Sequence, residues 1–244
     1  MSAEVFAVHG VLASEFGTAM ADALIGLCDE AVPAERRSWL VFTDFMDPAA
    51  VAHIDTIISL APSALGDLGS RKTVPAPLDG PGLALFEPVP EAPTRDLSKV
   101  LIDATGDAPW IRRLIENLLG KYTLTAASRD QEEIAELFRA EGVWSLVAPR
   151  RSHWIDLISQ HDLIVTSDPF TAALANAVLK PVLLAGDEVV AGLPACFIAE
   201  LDGPEAQLSG LDMVAIGADL LNAKRRAHQH AIDLVRGALG GAAT

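Results

Sequence analysis

Throughout residues 99–186, short apolar runs of strand length alternate with longer amphipathic stretches. KVLIDAT leads into APWIRRLIENLLG, where Trp110, Ile111, Leu114, Ile115 and Leu118 form one helical stripe that Gly120 closes. KYTLTAAS, RDQEEIAELFRAEG, VWSLVAP, RSHWIDLISQ, HDLIVTS, DPFTAALANAVL and KPVLLAG then repeat the pattern, with Gly142 ending the second helical stretch. Strands covered on both faces read as continuous apolar runs, and parallel neighbours need a crossover, which a helix of this length supplies. The stretch is therefore expected to fold as a doubly wound parallel sheet.

The amino-terminal half shows a weaker form of the same alternation. EVFAVHGVL reads as an opening strand, and EFGTAMADALIGLCDEA as a helix with Phe16, Met20, Leu24 and Cys28 at helical spacing. SWLVFTDF reads as a second strand, PAAVAHIDTIISLA as a helix, and TVPAPL and GLALFEPV as further strands. Between the halves, Pro81, Pro88, Pro90 and Pro93 exclude a continuous helix and disfavour a central strand. A linker centred on residues 88–97 separates an amino-terminal lobe, 1–95, from a carboxyl-terminal lobe, 96–244. The second lobe ends in a long helix, LDMVAIGADLLNAKRRAHQHAIDLVRGALG, with a break expected near Gly217.

Charge narrows the range of partners. The chain of 244 residues holds 18 Lys and Arg against 33 Asp and Glu, a formal charge of −15. A surface this acidic repels a phosphate backbone, so a general nucleic-acid binder is not expected. The basic pairs Arg36–Arg37, Arg150–Arg151 and Arg225–Arg226 suit at most one small anion. No apolar run reaches membrane-spanning length, and the acidic start lacks the basic region of a signal peptide. Cys28 and Cys196 stand alone in apolar surroundings, as buried thiols do in a reducing compartment, so the expected location is cytoplasmic.

Ligands of open parallel sheets lie beyond the carboxyl ends of the strands, so the residues leaving each strand matter most. After IVT come Ser167, Asp168, Pro169 and Thr171 at the start of a small-residue helix. Early helix amides and the helix dipole favour a phosphate there, with the Ser167 and Thr171 hydroxyls as added donors. The same residues also read as a plain helix cap by Ser167 or Asp168, which the pattern alone favours, and Asp168 would repel a phosphate. IDATGDAP places Thr105 and Gly106 in a tight turn with Asp107 as a cap, but it carries no Walker lysine and no dinucleotide fingerprint. His9 and Gly10 end the first strand, where a histidine serves as a general base or as a structural strand end. Asp44 and Asp47 lie at another strand end, Asp47 ahead of Pro48 in the manner of an N-cap. His228 and His230 are two residues apart on a helix and so point to different faces.

The stretch HWIDLISQHDLIVTSDPFTAALANAVLKPVLLAG resembles the carboxyl-terminal half of GT-B glycosyltransferases, and in cadence it is most similar to heptosyltransferases and nucleotide-sugar hydrolases of nonulosonic-acid pathways. The likeness covers about residues 98–187, with Ser-Asp-Pro-Phe in place of the family's glycine-rich turn. The resemblance implies two Rossmann-like lobes with parallel sheets, the amino-terminal one small and on the acceptor side. It implies a nucleotide-activated sugar as substrate, a hydroxyl acceptor, and no separate cofactor or metal. Its phosphates would sit by Thr105, Gly106, Ser167, Asp168 and Thr171, with Arg150 or Arg151 nearby, Asp187 or Glu188 toward the ribose, and His9 as the base. Glycosyl transfer or nucleotide-sugar hydrolysis in surface polysaccharide or glycoconjugate synthesis follows as the expected activity.

Two alternatives accompany it. The short first lobe and the missing glycine turn suit a non-catalytic binding or assembly subunit of the same fold. KVLIDATGDAP with HDLIVTSDPFTAALA is also similar to PIN-like nucleases, in which Asp103 and Asp168, with Glu132 or Glu133, would hold magnesium or manganese.

Overall fold

The computed structural model describes residues 42–43, 56–59, 72–75, 93–104, 108–128, 143–147, 151–185, 193–200 and 203–240. The chain divides into two compact units, Met1–Glu87 together with Lys224–Thr244, and Pro88–Ala223.

In the first unit, β1 (Phe42–Thr43), β2 (Thr56–Ser59) and β3 (Lys72–Pro75) form a parallel sheet in that order. Phe42 pairs with Ile58, and Thr56 with Lys72. β1 lies within the expected SWLVFTDF strand, and β3 overlaps TVPAPL. β2 corrects the helix expected over 48–61 at residues 56–59, the part of it that is described. Thr56, Ile57 and Ile58 are three consecutive β-branched residues, whose restricted side chains suit a pleated strand better than a helix. The strands expected at 4–12 and 82–89 and the helix expected at 15–31 lie outside the described residues.

The second unit is built on a six-stranded parallel sheet. Its strands are β4 (Lys99–Asp103), β5 (Thr123–Ser128), β6 (Trp144–Val147), β7 (Leu163–Thr166), β8 (Val182–Leu184) and β9 (Cys196–Ile198), in the order β6-β5-β4-β7-β8-β9. Five of them are the expected strands. The sixth, β9, extends the sheet beyond β8 through Val182–Cys196 and Leu184–Ile198 pairing. Helices α1 (Ala108–Leu118), α2 (Arg151–Ser159) and α3 (Pro169–Ala177) follow β4, β6 and β7 as expected. The helix expected at 129–142 lies outside the described residues.

One face of the sheet presents Val100 and Ile102 of β4, Leu124 and Ala126 of β5, Leu163 and Val165 of β7, and Leu183 of β8. The predicted stripe of α1 closes over it, so that Trp110, Ile111, Leu114, Ile115 and Leu118 are all buried there. A fully buried Leu or Ile side chain contributes about 1.5–3 kcal/mol relative to exposure. Leu208, from the short helix α4 (Pro204–Ser209), joins the same core.

Helix endings follow from local chemistry. Gly120, at φ +81°, takes the left-handed turn after α1, as its position in the sequence suggests. At the end of α3 the same role falls to a leucine. Leu179 has φ +62°, its N–H donates to the Asn176 carbonyl, and the Lys180 N–H reaches back to Ala175. These bonds form a Schellman motif, with Pro181 preventing continuation of the helix. The left-handed backbone costs about 1–2 kcal/mol for a non-glycine residue. Burial of the Leu179 side chain against Ala195 and Leu220 offsets it.

The last helix, α5 (Met213–Gly240), runs unbroken through Gly217, correcting the expected break. Gly217 serves close approach instead: a Cβ built there would lie 2.7 Å from Pro93 Cβ and 3.0 Å from Pro93 Cγ. Helix propensity alone says that Gly217→Ala stabilises by about 1 kcal/mol, whereas overpacking against a stiff pyrrolidine costs about 1–3 kcal/mol. The expected result is a net loss of about 1 kcal/mol in denaturant unfolding, so the sign of the change decides whether Pro93 is firmly seated.

Candidate functional site

The order of the six strands reverses direction between β4 and β7, the first and fourth strands of the unit. In open parallel sheets the strand ends at such a switch point are where ligands bind. The three central strands end there in polar residues, Ser128 on β5, Asp103 on β4 and Thr166 on β7, each with no solvent exposure. A buried polar group is stabilising only when it is hydrogen-bonded, and a buried carboxylate is costly unless it is well partnered.

The pairing of Ile102 with Val165 brings the next residues, Asp103 and Thr166, opposite each other. The Thr166 hydroxyl donates to Asp103 Oδ2 at 2.8 Å and accepts the Asp168 N–H at 2.9 Å. One hydroxyl thus joins the carboxyl end of β4 to the start of α3. Asp168 then caps that helix: its Oδ2 accepts the Thr171 hydroxyl at 2.9 Å and the Thr171 N–H at 3.3 Å. Its carbonyl takes the Ala172 N–H at 3.0 Å, and Pro169 fills the first helical position.

This geometry corrects one expectation. Thr171 is fully buried, and both its hydroxyl and its amide are directed at Asp168, so it is no donor to an incoming anion. Of this group, Ser167 and Asp168 are the partly exposed members. The helix terminus already has a carboxylate against its positive end, which is the arrangement a helix dipole favours.

The other expected site residues, His9, Thr105 and Gly106, lie outside the described residues, as do Asp44, Asp47, Asp107, Glu132, Glu133, Arg150, Asp187 and Glu188. Asp103 and Asp168 both border the switch point, but Asp103 is engaged with Thr166 and Asp168 with Thr171. Among the described residues there is no group of three or more His, Cys, Asp or Glu side chains placed to hold a metal. Cys196 is buried on β9, in keeping with the expected apolar setting. No described helix is long and apolar enough to cross a membrane.

Thr166 leaves the strand at the first candidate corner, and Ser128 is a further polar strand end that the sequence also signals. LIVT and TLTAAS are apolar or small runs whose last residue turns polar, at the edge where the fold places ligands.

A doubly wound six-stranded unit accompanied by a second parallel α/β unit gives the chain the fold of the GT-B glycosyltransferases, the fold expected from its sequence. Among solved structures, it is similar to the glycosyltransferase SnogD from Streptomyces nogalater, with 14% identity and a TM-score of 0.52 over 93% of this chain and 82% of that one. It is also similar to a variant of the wall teichoic acid polymerase TagF soaked with CDPG, with 9% identity and a TM-score of 0.51 over 100% of this chain and 90% of that one. No protein-family model and no curated protein sequence matches the chain. At these identities the likeness concerns the fold.

Proposed function

We propose that this protein transfers a glycosyl group from a nucleotide-activated sugar to a hydroxyl acceptor in the cytoplasm, in the synthesis of a surface polysaccharide or glycoconjugate. The observation that carries the proposal is the buried polar row Ser128, Asp103 and Thr166 at the switch point of a GT-B-type fold. Apolar residues would fill those strand ends at lower cost, so polar ones there support a site.

In this reading Thr105 and Gly106, ahead of α1 in the sequence, hold the diphosphate. Ser167 and Asp168 accept hydrogen bonds from hydroxyls of the donor, and Thr171 holds Asp168 in place. His9 accepts the proton of the attacking hydroxyl as its oxygen bonds to the anomeric carbon and the bond to the diphosphate breaks. Backbone dipoles stabilise the departing negative charge, and no metal is required.

A ligand that binds the native state raises the unfolding temperature. At a concentration about a hundredfold above Kd it adds about 2.7 kcal/mol. For a chain of this size that corresponds to a rise in Tm of about 5–10 °C. The expected result is such a shift with at least one nucleoside diphosphate or nucleotide sugar in the absence of metal. A shift with manganese alone would favour the nuclease alternative. No shift with either would favour a non-catalytic binding subunit.

A further inference from the structure

At the opposite, amino-terminal edge of the six-stranded sheet, the segment entering β4 is fastened at three places. Pro93 sits against Gly217 of α5. The Lys180 ammonium, buried ahead of β8, donates to the Thr94 hydroxyl at 2.8 Å. Asp162, ahead of β7, accepts three hydrogen bonds on a single oxygen: from the Ser98 N–H at 2.9 Å, the Ser98 hydroxyl at 2.9 Å and the Lys99 N–H at 2.7 Å. Hydrogen bonds to an ionised acceptor are roughly twice as strong as neutral ones, so Asp162 is the main fastening.

The neighbouring residue, His161, is buried. Its Nδ1 lies 2.6 Å from the Leu157 carbonyl and its Nε2 lies 2.8 Å from Thr125 Oγ1. A carbonyl can only accept, so Nδ1 carries the proton, and the neutral ring takes the Thr125 hydroxyl at Nε2. The charged groups around it are Lys99 from β4, Lys180 from ahead of β8 and Asp162 from its own turn. Those facing it from α2 and β5, the Leu157 carbonyl and the Thr125 hydroxyl, are uncharged. Protonation of the buried ring would set a third cation beside Lys99 and Lys180 against one carboxylate.

We propose that Pro93–Ser98 is an acid-released strap: when His161 takes a proton, its ring leaves the niche and the adjoining Asp162 lets go of Ser98 and Lys99. Burial holds His161 below its ordinary value of 6.5, opposed by the Leu157 hydrogen bond, with Lys99 and Lys180 lowering it and Asp162 raising it. A depressed folded value means that the closed state is fully favoured above 6.5 and loses that advantage as pH falls through the folded value. This device is independent of the sugar-nucleotide reading.

Amide hydrogen exchange on the full chain tests it, at about pH 7.5 and about pH 5.5, with exchange times scaled for intrinsic rates. Peptides covering residues 94–99 are expected to lose up to about tenfold in protection at the lower pH while peptides from α1 and β7 hold theirs. His161→Gln should keep the strap protected at both values, and Asp162→Asn should expose it at both. Lys99→Gln removes one of the cations that disfavour the protonated ring and should weaken the release at about pH 5.5, which decides the matter even where the His161 variant fails to fold. Strap protection that is independent of pH overturns the proposal, as does a release in Lys99→Gln as large as that of the parent, or an Asp162→Asn strap that stays protected.

Discussion

Thr166→Val is expected to destabilise the protein by about 2–3 kcal/mol, because a near-isosteric side chain takes a donor from the buried Asp103 carboxylate and an acceptor from the partly exposed Asp168 N–H. Asp103 Oδ2 loses the hydroxyl that donates to it, and the Asp168 N–H loses its acceptor. Asp103 has no solvent exposure, so water cannot replace its bond without opening the sheet edge. Thr166→Ser keeps the hydroxyl and removes one methyl, which should cost about 1 kcal/mol. The double variant Asp103→Val with Thr166→Val removes both partners together. It is expected to lose less than the sum of the single changes, with a coupling of about 1–3 kcal/mol. Urea unfolding of the four proteins measures this, read as a change of midpoint at constant slope. A Thr166→Val midpoint matching that of Thr166→Ser would show that the hydroxyl is not what joins β4 to α3. If the proposed function holds, the valine variant should also lose its thermal response to nucleotide sugars, because Asp168 is positioned through that hydroxyl.

The same pair of strands shows how far the sequence alone could lead. Val100–Asp103 and Leu163–Thr166 read as strands because central parallel strands are covered on both faces, and continuous apolar runs are rare elsewhere. Gly120 as the end of α1, and the unbroken stripe from Trp110 to Leu118, were legible because helical periodicity and turn chemistry are local. β2 was not legible, because Val51, Ile54 and Ile58 fall at helical spacing in a segment that also contains the β-branched run Thr56–Ile58. Sheet pairing overrode the helical pattern there. β9 has only three residues, too few for any period to show. At the site, Ser167, Asp168, Pro169 and Thr171 fit both a cap and an anion seat. The choice depended on the direction of the Asp168 carboxylate and the burial of Thr171, and spacing encodes neither. Lys180 with Thr94, separated by 86 positions, and Gly217 with Pro93 are long-range contacts that no local window contains.

Asn176→Leu is expected to be as damaging as the valine change, though it lies far from the switch point in the chain's logic. Asn176 stands near the end of α3, 1% exposed, and its amide closes a bracket between two segments. Nδ2 donates to the Lys180 carbonyl at 3.1 Å and to the Ala195 carbonyl at 3.3 Å, while Oδ1 accepts the Ala195 N–H at 3.2 Å. The bracket holds the left-handed Leu179 turn to the residue that leads into β9. Leucine has nearly the same volume, so packing is largely kept and the loss is polar. The Ala195 N–H is left without its acceptor, and the Lys180 carbonyl loses its donor. The Ala195 carbonyl keeps the Val182 N–H at 2.9 Å. Two buried groups short of a partner correspond to about 2–4 kcal/mol. Asn176→Asp keeps the acceptor but loses both donors and buries a charge, so it should be worse than leucine at neutral pH and recover in acid as the carboxyl protonates. The damage should also be local in character. Among the described strands β9 pairs with β8 alone, so amide exchange in Cys196–Ile198 should accelerate before that of β4 or β7. Uniform loss of protection across all six strands would instead mean that β9 unfolds only with the whole sheet, and that the Asn176 bracket supports the global fold and not just its edge.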